Sequence, residues 1–183
     1  MEQKDRIQAK ADELFMRYGI RSVSMDDTAA ELAMSKKTLY QFFADKDELV
    51  DAVVDKELKK GQCDCVDCFE HSKDAVDEIF ITMEKIAEQF RNMNPVVIYD
   101  LEKFHAYSYQ KFLRHKNEFL LDVIRKNIER GIREELYRPE INVDVMSRFR
   151  LESMMLAFNI SVFPPRKYNL AEVTQEIIEH YLY

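Results

Sequence analysis

Tryptophan is absent from this 183-residue chain, and glycine and proline number only three and four. With so few turn-formers, and no strand-type alternation joined by hairpin pairs, sheet architectures are excluded and an all-α protein is expected. Hydrophobic residues make up 46% of the chain, enough for a sizeable core. No apolar run reaches the roughly 18 residues of a membrane span. Glu2, Lys4, Asp5 and Arg6 leave no room for a signal-peptide core, so a cytoplasmic protein is expected. Net positive charge is lacking too. The balance is −7, which speaks against a nucleic-acid partner held by whole-protein electrostatics. No nucleophile elbow, glycine-rich phosphate loop, H-E-x-x-H or paired-carboxylate motif occurs. An enzyme is therefore not expected, nor a cofactor.

What is present is a series of capped helices. Ile7, Ala11, Leu14, Phe15 and Tyr18 recur at helical spacing, with Gly19 as the stop. Ser24 predicts an N-cap, with Asp26 and Asp27 at the positive end of a helix that runs to about Leu32. Ser35 predicts a second cap, opening a short helix from Lys36 to Phe43 with Leu39 and Phe43 on its buried side. Asp45 predicts a third, with Glu48 completing a capping box. Two short helices joined by a tight turn, the second showing Lys, Thr, Tyr and Gln, form a helix-turn-helix pattern. Such a second helix enters the major groove of DNA. Between Arg17 and Lys46 five basic residues stand against four acidic ones. Binding would rest on this small local patch, doubled by dimerisation.

The stretch carries a more specific pattern. Ala11, Leu14, Phe15 and Gly19 are followed by Val23-Ser24-Met25-Asp26-Asp27, Ala29, Ala30 and Ser35-Lys36. Then come Thr38-Leu39-Tyr40, Phe43, Lys46 and Glu48-Leu49. In residue type, spacing and position, residues 4 to 52 resemble the N-terminal domain of TetR/AcrR-type transcriptional repressors. The resemblance implies a helix-turn-helix DNA-binding domain over residues 1–47 and a helical effector-binding and dimerisation domain over 48–183, about nine helices in all. It implies a homodimeric repressor released from a double-stranded DNA operator by a small-molecule effector, with no membrane partner. Tyr40 matches a position that lies against the DNA backbone, and Lys46 matches a phosphate-binding lysine. Thr38 and Ser24 have short hydroxyls suited to phosphate at helix N-termini, and Ser24 can cap at the same time. Lys36, Lys37, Gln41 and Phe42 are the candidates for reading bases, although Phe42 can equally be core.

Several residues depart from the family. Lys37 stands where a small residue or proline is commoner, and Phe42 where histidine or tyrosine is. Ala33-Met34 replaces the common Gly-Val of the turn. If Ala33 holds positive φ there, a strain of ~1 kcal/mol is expected. Thr28 replaces an apolar residue and is expected to tuck its methyl inward. These departures leave open a helical interaction module that has lost DNA binding.

The next helix carries Leu49, Val50, Val53, Val54 and Leu58, with Gly61 at its end or as an internal weak point. All three cysteines follow, at Cys63, Cys65 and Cys68, with His71 behind them. On one helix Cys63 and Cys65 point about 200° apart, so the four groups do not converge. They read as small apolar residues in a reducing compartment, and no metal is assigned. The alternative is a metal- or thiol-responsive regulator of the same fold. Ser72 is expected to cap a helix ending near Phe90, and Pro95 to open another. The stretch G-I-R-E-E-L-Y-R-P-E-I-N-V-D resembles the loop before the penultimate helix of the family. Asn142 or Asp144 starts that helix, Pro164-Pro165 stops it, and Asn169 caps the last one, which carries Val173, Ile177, Ile178, Tyr181 and Leu182.

The resemblance also implies an effector pocket in the second half. Its aromatic and methionine supply is Phe80, Met83, Phe90, Tyr99, Phe104, Tyr107, Phe112, Phe119, Met155 and Phe158, each of which can equally be core. His105 and His115 could orient a polar group. The two final helices imply a dimer interface with Met146, Phe149, Met154, Val173, Ile177 and Tyr181.

Overall fold

Three side-chain caps set the register of the first third of the chain. Ser24 accepts the Asp27 N–H at 3.1 Å, and the Asp27 carboxylate takes the Ser24 N–H at 2.8 Å. This reciprocal box separates α1 (Gln3–Tyr18) from α2 (Met25–Glu31). Ser35 accepts the Thr38 N–H at 3.1 Å and opens α3 (Lys36–Tyr40). α3 is shorter than the sequence suggests, but one more turn follows, closed by the Phe43 N–H on the Leu39 carbonyl at 3.2 Å. Asp45 accepts the Glu48 N–H at 2.8 Å and opens α4 (Lys46–His71). The return arm lands one residue early, because Glu48 accepts from the Ala44 N–H at 2.6 Å. Gly19 ends α1 at φ +86°, and Ala33 takes φ +51° in the turn between α2 and α3.

The computed structural model describes residues 2–181, and the chain divides into two units. The first takes residues up to 59 together with 92–112. It holds α1, α2, α3, the start of α4, α6 (Val96–Phe104) and the opening of α7 (Ala106–Arg114). Its core is built on Ile7, Ala11, Phe15, Leu39, Phe43 and Leu49. Val97 and Leu101 of α6 join that same core. The sequence expectation divides the chain at 47/48, whereas the packing of this unit continues to 59 and recruits α6. A 47-residue three-helix segment is too small to bury its own apolar faces fully.

The second unit takes residues 60–91 and those from 113 onward. It holds the rest of α4, α5 (Ala75–Phe90), a π-helical turn (His115–Leu120), α8 (Leu121–Arg133), α9 (Val143–Leu156) and α10 (Leu170–Glu179). α8 packs on α9, α5 packs on α8 and α10, and α9 packs on α10. Ile79, Ile128, Leu151 and Ile178 are buried among them. With α7, the π turn and α8 counted as one continuous helix, the described residues hold nine helices.

The caps here differ in part from expectation. α5 is capped by Asp74, whose Oδ1 accepts the Val76 and Asp77 N–H groups at 2.9 and 2.8 Å. Ser72 instead donates its hydroxyl to the Phe69 carbonyl at 2.9 Å, at the end of α4. Asn142 caps α9 through the Val145 N–H at 3.1 Å, and Asn169 caps α10 through the Ala171 N–H at 2.9 Å. α4 runs unbroken through Gly61 and the cysteines. Leu182 lies outside the described residues. No helix among the described residues is long and apolar enough to cross a membrane.

Candidate nucleic-acid interface and interior cavity

Burial of Leu39 and Phe43 fixes which way α3 faces. Lys36, Lys37, Tyr40 and Gln41 are left exposed, and Tyr40 keeps 49% of its surface open. Lys36 pairs with Asp26 of α2. Thr38 is half-buried, and its hydroxyl lies 2.8 Å from that of Ser35. Phe42 is half-buried and packs against the core of the first unit. Ser24 is exposed, with its hydroxyl donating to Asp27 at 2.6 Å. That hydroxyl, and next the Ser24 amide, hold the Asp27 carboxyl below its ordinary pKa. Lys46 is half-buried and donates to the Ile20 carbonyl at 2.7 Å, and burial lowers its pKa from the usual lysine value.

Two contacts absent from the sequence reading hold the approach to α2. Asp100 of α6 is buried and accepts the Arg21 N–H at 2.8 Å. The Asn94 N–H donates to the Met16 carbonyl at 2.7 Å. The available signal was an acid placed between apolar residues of α6, at Tyr99-Asp100-Leu101. Nearby, the His105 Nδ1 lies 2.6 Å from an Asp47 carboxylate oxygen, and Lys111 bridges Asp51 and Asp55 at 2.9 and 2.8 Å.

The second unit carries a partly open cavity of about 120 Å³. α5 supplies Glu78, Ile79, Thr82 and Ile86 to its wall, and α8 supplies Val123, Ile124 and Asn127. Arg150, Leu151, Met154 and Met155 come from α9, with Cys65, Leu120 and Ile178 closing the rest. Of the ten residues expected for an effector pocket, Met155 alone lines it. Phe90 and Phe158 meet edge-on at 5.2 Å, and Phe119 stacks on His115 at 5.1 Å. Met83 is half-buried on α5, and Phe80 is exposed. Tyr99, Phe104, Tyr107 and Phe112 belong to the first unit. His115 lies 3.4 Å from the Gln62 amide nitrogen, and burial lowers its pKa.

The cysteines do not gather. Cys63 is exposed, Cys65 lines the cavity and Cys68 is buried. Burial pushes the Cys65 thiol up to about 11, which disfavours the reactive thiolate. His71 bonds the Asp67 carbonyl at 2.9 Å. Among the described residues no three His, Cys, Asp or Glu form a group that could hold a metal.

Of the residues expected at a dimer interface, Phe149 is the one left open, at 55%. It continues a row of exposed apolar side chains along α9 with Val145 and Leu156. Met146, Val173, Ile177 and Tyr181 are half-buried within the chain, and Met154 faces the cavity. The Tyr181 ring meets Phe149 edge-on at 6.4 Å.

A family model described as bacterial regulatory proteins, tetR family, matches residues 7–53. The HTH-type transcriptional repressor KstR2 of Mycobacterium tuberculosis is 28% identical over 150 residues, covering 74% of this chain and 70% of the relative. The solved structure of that ketosteroid transcriptional regulator matches with a TM-score of 0.66 at 18% identity, covering 99% of this chain and 93% of the other. A TetR transcription regulator from Haloarcula marismortui matches with a TM-score of 0.78 at 15% identity, over 98% and 96% of the two chains. The FadR regulator of Bacillus subtilis, solved in complex with stearoyl-CoA, matches at 0.69 and 11% identity over 98% of each chain. These structures share its fold.

Proposed function

This chain belongs to the TetR family of bacterial regulatory proteins, and on that premise we propose that it is a homodimeric, cytoplasmic repressor that leaves its operator when a small molecule fills the cavity of the second unit. No catalytic role enters this reading. The observation that carries it is the split of α3 into a buried face, Leu39 and Phe43, and an open face of Lys36, Lys37, Tyr40 and Gln41. A short helix after a tight turn, with one anchored side and one polar side, suits a reading head.

All the proposed DNA contacts fall within residues 1–47. Tyr40, Thr38, Ser24 and Lys46 anchor phosphates, while Lys36, Lys37 and Gln41 reach base edges. Phe42 takes second place among the readers because it packs on the core. The chain is acidic overall, so a few placed contacts, used twice in a dimer, must supply the affinity. The row Val145, Phe149 and Leu156 on α9 supports the dimer, since one exposed apolar stripe on a helix favours a matching copy.

The cavity supports an effector. It is mostly apolar, with few polar groups converging on it, as small-molecule sites are. Filling it shifts an equilibrium between two dimer shapes of different DNA affinity. KstR2 is described as a repressor, and FadR was solved with a small molecule bound. Both descriptions support this reading. The test is a gel shift of the full chain on duplex DNA from upstream of its own gene. Sequence-selective retardation supports the reading, and equal retardation of unrelated duplex contradicts it.

A further inference from the structure

The cavity wall holds a cation with one unpartnered nitrogen. Arg150 lines the cavity, and the Arg150 Nε is enclosed by protein with no hydrogen-bond partner among the described residues. Burial lowers the Arg150 pKa. No carboxylate among the described residues pairs with this guanidinium. The one acid in the wall, Glu78, is taken by Arg130 at 3.1 Å, and Arg130 is also paired with Glu134 at 2.7 Å. The direct partners of Arg150 are neutral, the Tyr137 hydroxyl among them, and Glu78 attracts it only as a charge that Arg130 already holds. The Arg150 Nη1 donates to the Asn127 Oδ1 at 3.0 Å, and its Cζ lies 5.4 Å from the Tyr181 ring centre. Asn127 is fixed in that orientation, because its amide nitrogen donates to the Ala75 carbonyl at 2.9 Å. A buried guanidinium with no carboxylate in contact, at the edge of an aliphatic cavity, is costly unless something negative completes it.

We propose that the effector is a compact monocarboxylate of six to eight carbons, whose apolar body fills the cavity among Ile79, Ile124 and Met154 and whose carboxylate binds Arg150. The inference rests on the cavity being the effector site. Size sets the body: about 120 Å³ is of the order of the roughly 150 Å³ cavity that holds benzene in another protein. Charge sets the head: a guanidinium fork matches a carboxylate in both geometry and sign. Thr82 on the same wall adds a hydroxyl, although that hydroxyl already donates to the Glu78 carbonyl at 2.7 Å and can only accept from a ligand. The head is therefore read by Arg150 and not by Thr82.

The experiment is calorimetric titration of the full chain with benzoate and hexanoate, each beside its neutral amide, benzamide and hexanamide. Both acids should bind, and each amide should bind at least about tenfold more weakly, the size of one charge-assisted hydrogen bond. Arg150→Met should erase the preference for acid over amide. Arg150→Lys should leave an intermediate preference, because it keeps the charge and loses the fork. Met154→Trp should abolish binding of acid and amide together by filling the space. The wild-type comparison of acid with amide needs no variant to fold. Equal affinity for acid and amide would overturn the inference, as would no detectable binding of either acid or undiminished benzoate affinity in folded Arg150→Met. A parallel operator-release assay separates the two levels. Arg150-dependent binding of benzoate without DNA release upholds the ligand class and counts against the effector reading. Release by a neutral compound, unaffected by Arg150→Met, does the reverse.

Discussion

Asp100 on α6 accepts the backbone N–H of Arg21, in the loop that leads into α2, at 2.8 Å. The carboxylate is 79 residues away in sequence, yet it holds the entry to the helix-turn-helix. Asp100 is 3% exposed, so water does not readily replace it. Asp100→Ala is expected to cost ~1–3 kcal/mol, the range for leaving a buried donor unpaired. Thermal unfolding should show that loss. A gel shift at a temperature where the variant is folded should show weaker operator binding, because the loop is no longer pinned. An unchanged melting temperature would show that water takes over the contact.

Ala33 sits at φ +51° in the turn between α2 and α3. The left-handed conformation costs an alanine about 1–2 kcal/mol, and glycine nothing, although glycine adds entropy to the unfolded chain. Ala33 is exposed, so no packing is lost. Ala33→Gly should therefore stabilise by ~0.5–1 kcal/mol net and raise the melting temperature by a few degrees. Operator affinity should not fall. A lower melting temperature would contradict the strain account.

Local chemistry of this kind was legible in the sequence. Ser24, Ser35, Asp45 and Asn169 act as caps where their residue types and positions predict it, since capping needs only neighbours within four residues. Ala33 was legible for the same reason. Ser72 was misread because Asp74, two residues on, is a better acceptor for the same helix end. The reach of the first unit was not legible. It depends on Val97 and Leu101, whose spacing says only that α6 is amphipathic and not what it packs on. The cavity lining was the least legible. Aromatic residues were expected there, but it is built from aliphatic faces of α5, α8 and α9 that meet only after packing. Arg150 carried no sequence signal, being one arginine of the Arg148-Phe149-Arg150 run.

Gly131 on α8 faces the Tyr137 ring so closely that an added Cβ would lie 2.1 Å from a ring carbon. Tyr137 also donates its N–H to the Gly131 carbonyl at 3.0 Å. Gly131→Ala should push the ring away and destabilise by ~1–3 kcal/mol, despite alanine being the better helix former. Chemical denaturation checks this. A stabilised variant would mean that the loop after α8 moves freely.

Asp27 gives a pH dependence with a definite sign. Its carboxyl is held below the ordinary value by the Ser24 hydroxyl and amide. A depressed folded pKa contributes stability that is present above the unfolded value and is lost as pH falls through the folded one. The capping contribution should therefore hold near neutrality and fade only in the acid range below pH ~4. Asp27→Asn should flatten that acid limb in melting scans. An identical acid limb in the variant would show that Asp27 does not contribute to it.

On the proposed function, α3 reads DNA sequence while Tyr40 and Lys46 anchor the backbone. Fluorescence anisotropy of the full chain, on its own upstream duplex and on a scrambled one across a salt series, tests it most directly. Lys46→Gln should weaken binding to both duplexes and lower the salt slope by about 1 per protomer, whereas Gln41→Ala should narrow the gap between the two duplexes and leave the slope unchanged. Equal affinity of the wild type for both duplexes, or a Lys46→Gln slope identical to wild type, would contradict the account.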